Sequence, residues 1–137
     1  MTDTFAAGRI HTDAIVAALE AAGLTVGDAE APTFSPPYVV VYPILGGALY
    51  GVMLKPHREA ELLYQVTCVG LSRRQAQWLQ DEARGVLLGG VAVAGYQVEH
   101  VVPELVSGVT REDEGATTLF VAREQYRIFT TPDTGGS

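Results

Sequence analysis

The chain has 137 residues, 47% of them hydrophobic, and a formal net charge of −7. This length fits one domain with one core, and the acidic balance excludes a basic footprint for gripping nucleic acid and disfavours an anionic membrane surface. The single cysteine, Cys68, excludes an intrachain disulfide.

Charged residues make up 18% of the chain, below the roughly 25% usual for soluble domains. Surface covered by a partner would account for this, and so would an Ala- and Gly-rich composition. No apolar run reaches the ~18 residues needed to span a bilayer. Met1-Thr2-Asp3-Thr4-Phe5 lacks a basic start followed by an apolar stretch, so no signal peptide is expected and folding in a cytoplasm is.

In chain order, residues 1–8 are either loose or begin an early helical turn, and the first helix proper is expected to start near Thr12, with Thr12 or Asp13 as its cap. Ile15, Ala18, Leu19 and Ala22 form its apolar stripe, and Gly23 is its stop. Leu24-Thr25-Val26 fits a brief strand. Pro32, Pro36 and Pro37 make 29–37 an extended loop. Tyr38-Val39-Val40-Val41-Tyr42 is β-branched and aromatic throughout, which predicts a strand buried on both faces. Gly46-Gly47 reads as a turn, 48–53 as a short return strand, and Lys55-Pro56-His57-Arg58 as a polar break.

The stretch 59–88 is the clearest in the chain. Leu62, Tyr64, Val66 and Cys68 alternate with Leu63, Gln65, Thr67 and Val69, the period of a strand. Ser72-Arg73-Arg74-Gln75 is a capping-box pattern, in which Ser72 accepts from the Gln75 N–H and the Gln75 side chain reaches back to Ser72. Ala76, Leu79, Ala83, Val86 and Leu87 give the following helix one apolar stripe, and Gly89-Gly90 ends it.

Residues 91–95 read as a link, and 98–105 as a strand that Pro103 confines to an edge or a bulge. A polar loop with Glu112-Asp113-Glu114 is expected over 107–116. A long strand over 118–130 places Phe120, Ala122, Glu124, Tyr126 and Ile128 on one face, opposite Leu119, Val121, Arg123, Gln125, Arg127 and Phe129. The expected architecture is an α+β domain over 1–131 with a mainly antiparallel sheet and two helices packed on one face, followed by a disordered tail over 132–137.

No nucleophile–base pair or metal-ligand spacing is found, so no enzymatic activity, cofactor or metal is expected. Cys68 reads as a buried small hydrophobe. His11, His57 and His100 read as ordinary surface or loop histidines. His57 and Glu59 are two apart, which alone does not make an acid–base pair. Gly46-Gly47 and Gly89-Gly90 do not have phosphate-loop spacing. Glu112-Asp113-Glu114 reads as a solvated loop tip, lacking the alternating ligands of a calcium loop. Trp78 is the odd residue: a helical wheel sets it nearly opposite Ala76 and Ala83, beside Arg74, Asp81 and Gly85. Its ring either folds over a neighbouring segment of its own chain or contacts another chain, where tryptophan is enriched.

Three passages together resemble the tail terminator proteins of long-tailed phages, especially those infecting actinobacteria, a family also called tail completion or tail-to-head joining proteins. They are Arg9-Ile10-His11-Thr12-Asp13-Ala14-Ile15-Val16 with Pro36-Pro37-Tyr38-Val39-Val40-Val41-Tyr42-Pro43; Leu63-Tyr64-Gln65-Val66-Thr67-Cys68-Val69-Gly70 leading to Arg74-Gln75-Ala76-Gln77-Trp78-Leu79; and Tyr126-Arg127-Ile128-Phe129-Thr130-Thr131-Pro132. Their order and spacing carry the resemblance. It implies a sheet flanked by two helices and no catalytic residues. It also implies a homo-oligomeric ring, commonly a hexamer, on the end of the tail tube. That ring would contact the major tail tube protein and a head–tail connector, stop tube polymerisation, and let DNA pass without specific binding. The expected location is the tail–head junction of a virion, after assembly in the host cytoplasm. Another neck or head–tail connector protein, or a small bacterial α+β enzyme or ligand-binding domain, are the alternatives.

Overall fold

The structure is a computed structural model and describes residues 3–28, 35–44 and 60–132. The turn at Gly46-Gly47, the return strand over 48–53, the polar break with His57 and Glu59, most of the proline loop, and the tail beyond residue 132 lie outside the described residues.

The element order is α1 (Asp3–Ala21), β1 (Val26–Asp28), β2 (Tyr38–Pro43), β3 (Ala60–Gly70), α2 (Arg73–Gly89), β4 (Tyr96–Val106), β5 (Thr110–Glu114) and β6 (Thr117–Pro132). The strands form one six-stranded sheet in the order β1-β2-β3-β6-β4, with β5 also paired to β6. Among the described residues only the β1–β2 pair is parallel. This is the expected α+β class with a mainly antiparallel sheet.

Register explains why the sequence alternation works. Leu62, Tyr64, Val66 and Cys68 lie opposite Ile128, Tyr126, Glu124 and Ala122, and Cys68 and Val66 lie opposite Val39 and Val41. These residues share one face, and nearly all belong to a single buried cluster with Ile15 and Leu19 of α1 and Leu79, Ala83 and Leu87 of α2. Both helices therefore cover that face and meet each other across it.

The helix ends follow local chemistry. Gly23 takes φ 91° after α1, its N–H donating to Glu20 O and the Leu24 N–H to Leu19 O. That is a Schellman closure, which favours glycine. At α2, the Gln75 N–H donates to Ser72 Oγ at 3.1 Å, as the capping box requires. The return bond differs from expectation: Gln75 Oε1 accepts from the Leu71 N–H at 2.7 Å, one residue earlier than Ser72. Gly70 is buried under the first turn, where a Cβ would lie 2.8 Å from Ala76 N.

Three sequence expectations are corrected. The first helix begins at Asp3, so the early helical turn open for 1–8 is part of it and the start near Thr12 does not hold. Thr12 is not a cap: it is buried in mid-helix, with its Oγ1 hydrogen-bonded to Tyr64 Oη at 3.0 Å. The brief strand falls on Val26–Asp28, because Leu24 turns into the core and Val26 pairs in parallel with Val39. The polar loop over 107–116 contains β5, an antiparallel hairpin with β6 through a two-residue turn at Gly115 and Ala116, Gly115 at φ 62°. An edge strand tolerates acidic side chains such as Asp113, which stays exposed, and Glu112, which is paired with Arg123.

Candidate functional site

Among the described residues the buried face carries one carboxylate. Glu124 is 2% exposed on β6, and Arg84 of α2 holds it with two bonds from Nε and one from Nη2 at 2.9 Å. The Tyr126 hydroxyl donates to the same carboxylate. The hydrogen bond to Glu124, ahead of every other influence, holds the Arg84 guanidinium above its ordinary pKa. Burial first, then the Glu124 carboxylate, push Tyr126 well above a free phenol. Cys68 packs nearby, its thiol pushed up to about 12 by burial foremost and by the Glu124 charge second. A thiol held protonated is a poor nucleophile. The group locks α2 onto the sheet; it does not activate Cys68.

The histidines do not converge. His11 is fully buried, not a surface residue as expected: α1 already contains it, and its ring meets Tyr96 edge-on while Nε2 is hydrogen-bonded to Thr130 Oγ1 at 2.8 Å. His100 is exposed on β4 and leans on the Phe129 ring. Among the described residues no three His, Cys, Asp or Glu side chains are grouped to hold a metal ion. No described helix is long and apolar enough to cross a membrane.

The opposite face of the sheet is tied by polar side chains. Arg127 of β6 reaches Glu61 of β3 at 2.9 Å and Glu104 of β4 at 3.3 Å, and Arg123 reaches Glu112 of β5 at 3.0 Å. Gln125 donates to Gln65 across β3 and β6. Glu112 and Asp113 are thus engaged by side chains: Asp113 accepts from Thr118 and Arg111, and the Thr118 bond foremost lowers its pKa.

Among the described residues two surfaces are apolar and exposed. On the outer side of α2, Trp78 is 51% exposed, with Leu71 before the helix and Leu88 near its end. At the sheet edge, β4 exposes Val102, Leu105 and Val106. Sequence reasoning singled out Trp78 and missed the β4 residues. The signal was available: Pro103 marks an edge, and apolar residues on both sides of it cannot all point inward. β4 has register shifts between Val98 and His100 and between Pro103 and Leu105, the second at the proline expected to mark an edge or a bulge. Between the end of α2 and the start of β4 lies an open groove of about 390 Å³, lined by Leu88, Val91, Val93, Tyr96, Val98 and His100. Its walls are largely aliphatic, with Glu99 and His100 at the β4 side.

The geometry defines a class: a six-stranded, mostly antiparallel sheet with two helices on one face and apolar surface left on an outer helix and an edge strand. No family model and no curated protein matches the sequence. Among solved structures, the fold is similar to a chain of the virion of a native gene transfer agent particle, with a TM-score of 0.51 and 15% identity. The likeness covers 88% of this chain and 87% of the virion chain. At that identity it establishes a shared fold over nearly the full length of both.

Proposed function

We propose that this chain is a structural virion protein of the tail terminator kind, a non-enzymatic ring subunit that caps a phage tail tube and offers the surface that joins the head. The observation that carries this reading is the fold shared with a gene transfer agent virion chain across 88% of the sequence. The order of the three tail-terminator-like passages supports it independently. The mechanism is geometric. A tube subunit presents the same surface to each incoming ring, so growth stops only when a ring of different shape occupies it. In this reading Trp78 lies at the contact between subunits, the major tail tube protein sits below the ring and a head–tail connector above. DNA passes through the lumen unbound, which suits a chain of net charge −7.

The same likeness favours, as a second reading, another neck or head–tail connector protein. Deleting the gene and imaging particles by negative stain separates the two. Loss of a terminator leaves heads and tails unjoined with tails of uncontrolled length. Loss of a connector leaves them unjoined with tails of normal length. Joined virions with normal tails would contradict both.

A further inference from the structure

The exposed patches differ in charge as well as position. Arg73 and Arg74 open α2, both exposed and next to Leu71, and no acidic residue shares the first turn. Positive charge is disfavoured at a helix N-terminus, where the backbone dipole is already positive. Four other arginines, Arg84, Arg111, Arg123 and Arg127, are in ion pairs, whereas Arg73 and Arg74 have none among the described residues. Asp81 and Glu82 lie further along the same helix and its remaining arginine, Arg84, is paired with Glu124, so the unpaired positive charge of α2 is confined to its first turn. Here two cations sit at an unfavourable place, unpaired, beside an exposed tryptophan.

The β4 edge is the complement. Tyr96–Val106 contains Glu99 and Glu104, both exposed, and no lysine or arginine. Glu104 and Glu99 each have one partner, Arg127 and Thr131, and keep open acceptor sites toward solvent. Between and beyond them, opposite Arg127 and Gln125 on the sheet face away from the helices, stand Val102 and Leu105. Pro103 offers no N–H and the two register shifts bend the edge, so another strand would not add smoothly; this edge is suited to side-chain docking.

We propose that the N-terminal part of α2, with Arg73, Arg74 and Trp78, and Leu71 just before it, docks on the β4 edge of a second copy, with Trp78 and Leu71 against Val102 and Leu105 and the two arginines against Glu99 and Glu104. Two different patches of one chain meet, so the contact is head-to-tail. Repeated, it closes a ring if the rotation between copies allows and runs on as a filament if it does not. This rests on the ring reading above and names the surfaces that would build it.

The test is a charge swap followed by mass measurement in solution and on tail tubes. The Arg73→Glu/Arg74→Glu variant is expected to weaken association about tenfold. Its monomer melting temperature should be unchanged or slightly raised, because acidic residues suit a helix N-terminus. A loss of assembly together with an unharmed monomer cannot come from misfolding. Adding Glu99→Lys to that variant, which leaves the Arg127–Glu104 pair intact, should restore part of the association. Assembly unaffected by the arginine variant, or lost but not restored even in part by the swap, overturns this interface while the ring reading stands. Wild-type protein that stays monomeric both at high concentration and on tail tubes overturns both.

Discussion

β6 and β4 are neighbours in one sheet, rich in apolar residues, and end in opposite circumstances. β6 pairs on both sides and turns Ala122, Tyr126 and Ile128 under the helices, with its one inward charge, Glu124, held by Arg84. β4 pairs on one side and leaves Val102, Leu105 and Val106 in water. Apolar content does not separate the two strands; what separates them is whether the monomer supplies the covering. Surface of the second kind marks contact with another molecule more often than a defect of folding.

The comparison can be broken or sharpened by substitution. Tyr126→Ala removes a fully buried ring and the hydrogen bond to Glu124, and should cost about 4 kcal/mol in chemical denaturation. A loss near zero would mean that the β6 face is not the core. The next effect is alkaline. Cys68 is raised from 9.0 to about 12 in the native chain, so between these values the unfolded chain loses the thiol proton first and binds fewer protons. Stability is therefore full below about pH 9 and falls as pH rises toward 12, by roughly 2–3 kcal/mol at pH 11 from this group. Cys68→Ala, although less stable at neutral pH by about 1 kcal/mol, should flatten the fall that begins near pH 9. The slope that remains above pH 10 belongs to Tyr64 and Tyr126, which are also raised. An unchanged pH profile in the variant would place the thiol in water.

Arg84→Ala strands the Glu124 carboxylate in the core. Since Arg84 is 36% exposed, the loss should be about 2 kcal/mol, less than the 3–5 of a fully enclosed pair. Replacing Glu124 with Gln as well should recover part of it, and a larger loss in the double variant would contradict the pairing. The smallest effect belongs to β4. Leu105, 59% exposed, should change to Ser with less than about 0.5 kcal/mol of monomer stability lost, while association of the assembled protein weakens. A destabilised monomer would show that β4 is covered by its own chain.

Much of this was legible before the structure. Period-two alternation in β3 and β6 and a three-four stripe in α2 are strong signals because each element buries one whole face, and burial follows the pattern residue by residue. Pro103 likewise marked an edge strand correctly. The start of α1 was not legible, because Thr12 resembles a cap until Tyr64, 52 residues away, takes its hydroxyl. β5 was hidden for a related reason: Thr110–Glu114 is charged, and only pairing with Thr117–Val121 makes it a strand. Trp78 stood out by its place on the wheel, and Cys68 by its strand neighbours. The Arg84–Glu124 pair joins positions 40 apart, which no local pattern links. The burial of His11 depends on Tyr96 and Thr130, still further along the chain.

The most direct test of the terminator reading is to add the purified protein to growing tail tubes and follow length and end structure by negative-stain microscopy. The account predicts a ring of added density at tube ends, none along the sides, and an immediate halt in elongation. Tubes that continue to lengthen with bare ends in the presence of excess folded protein would contradict it.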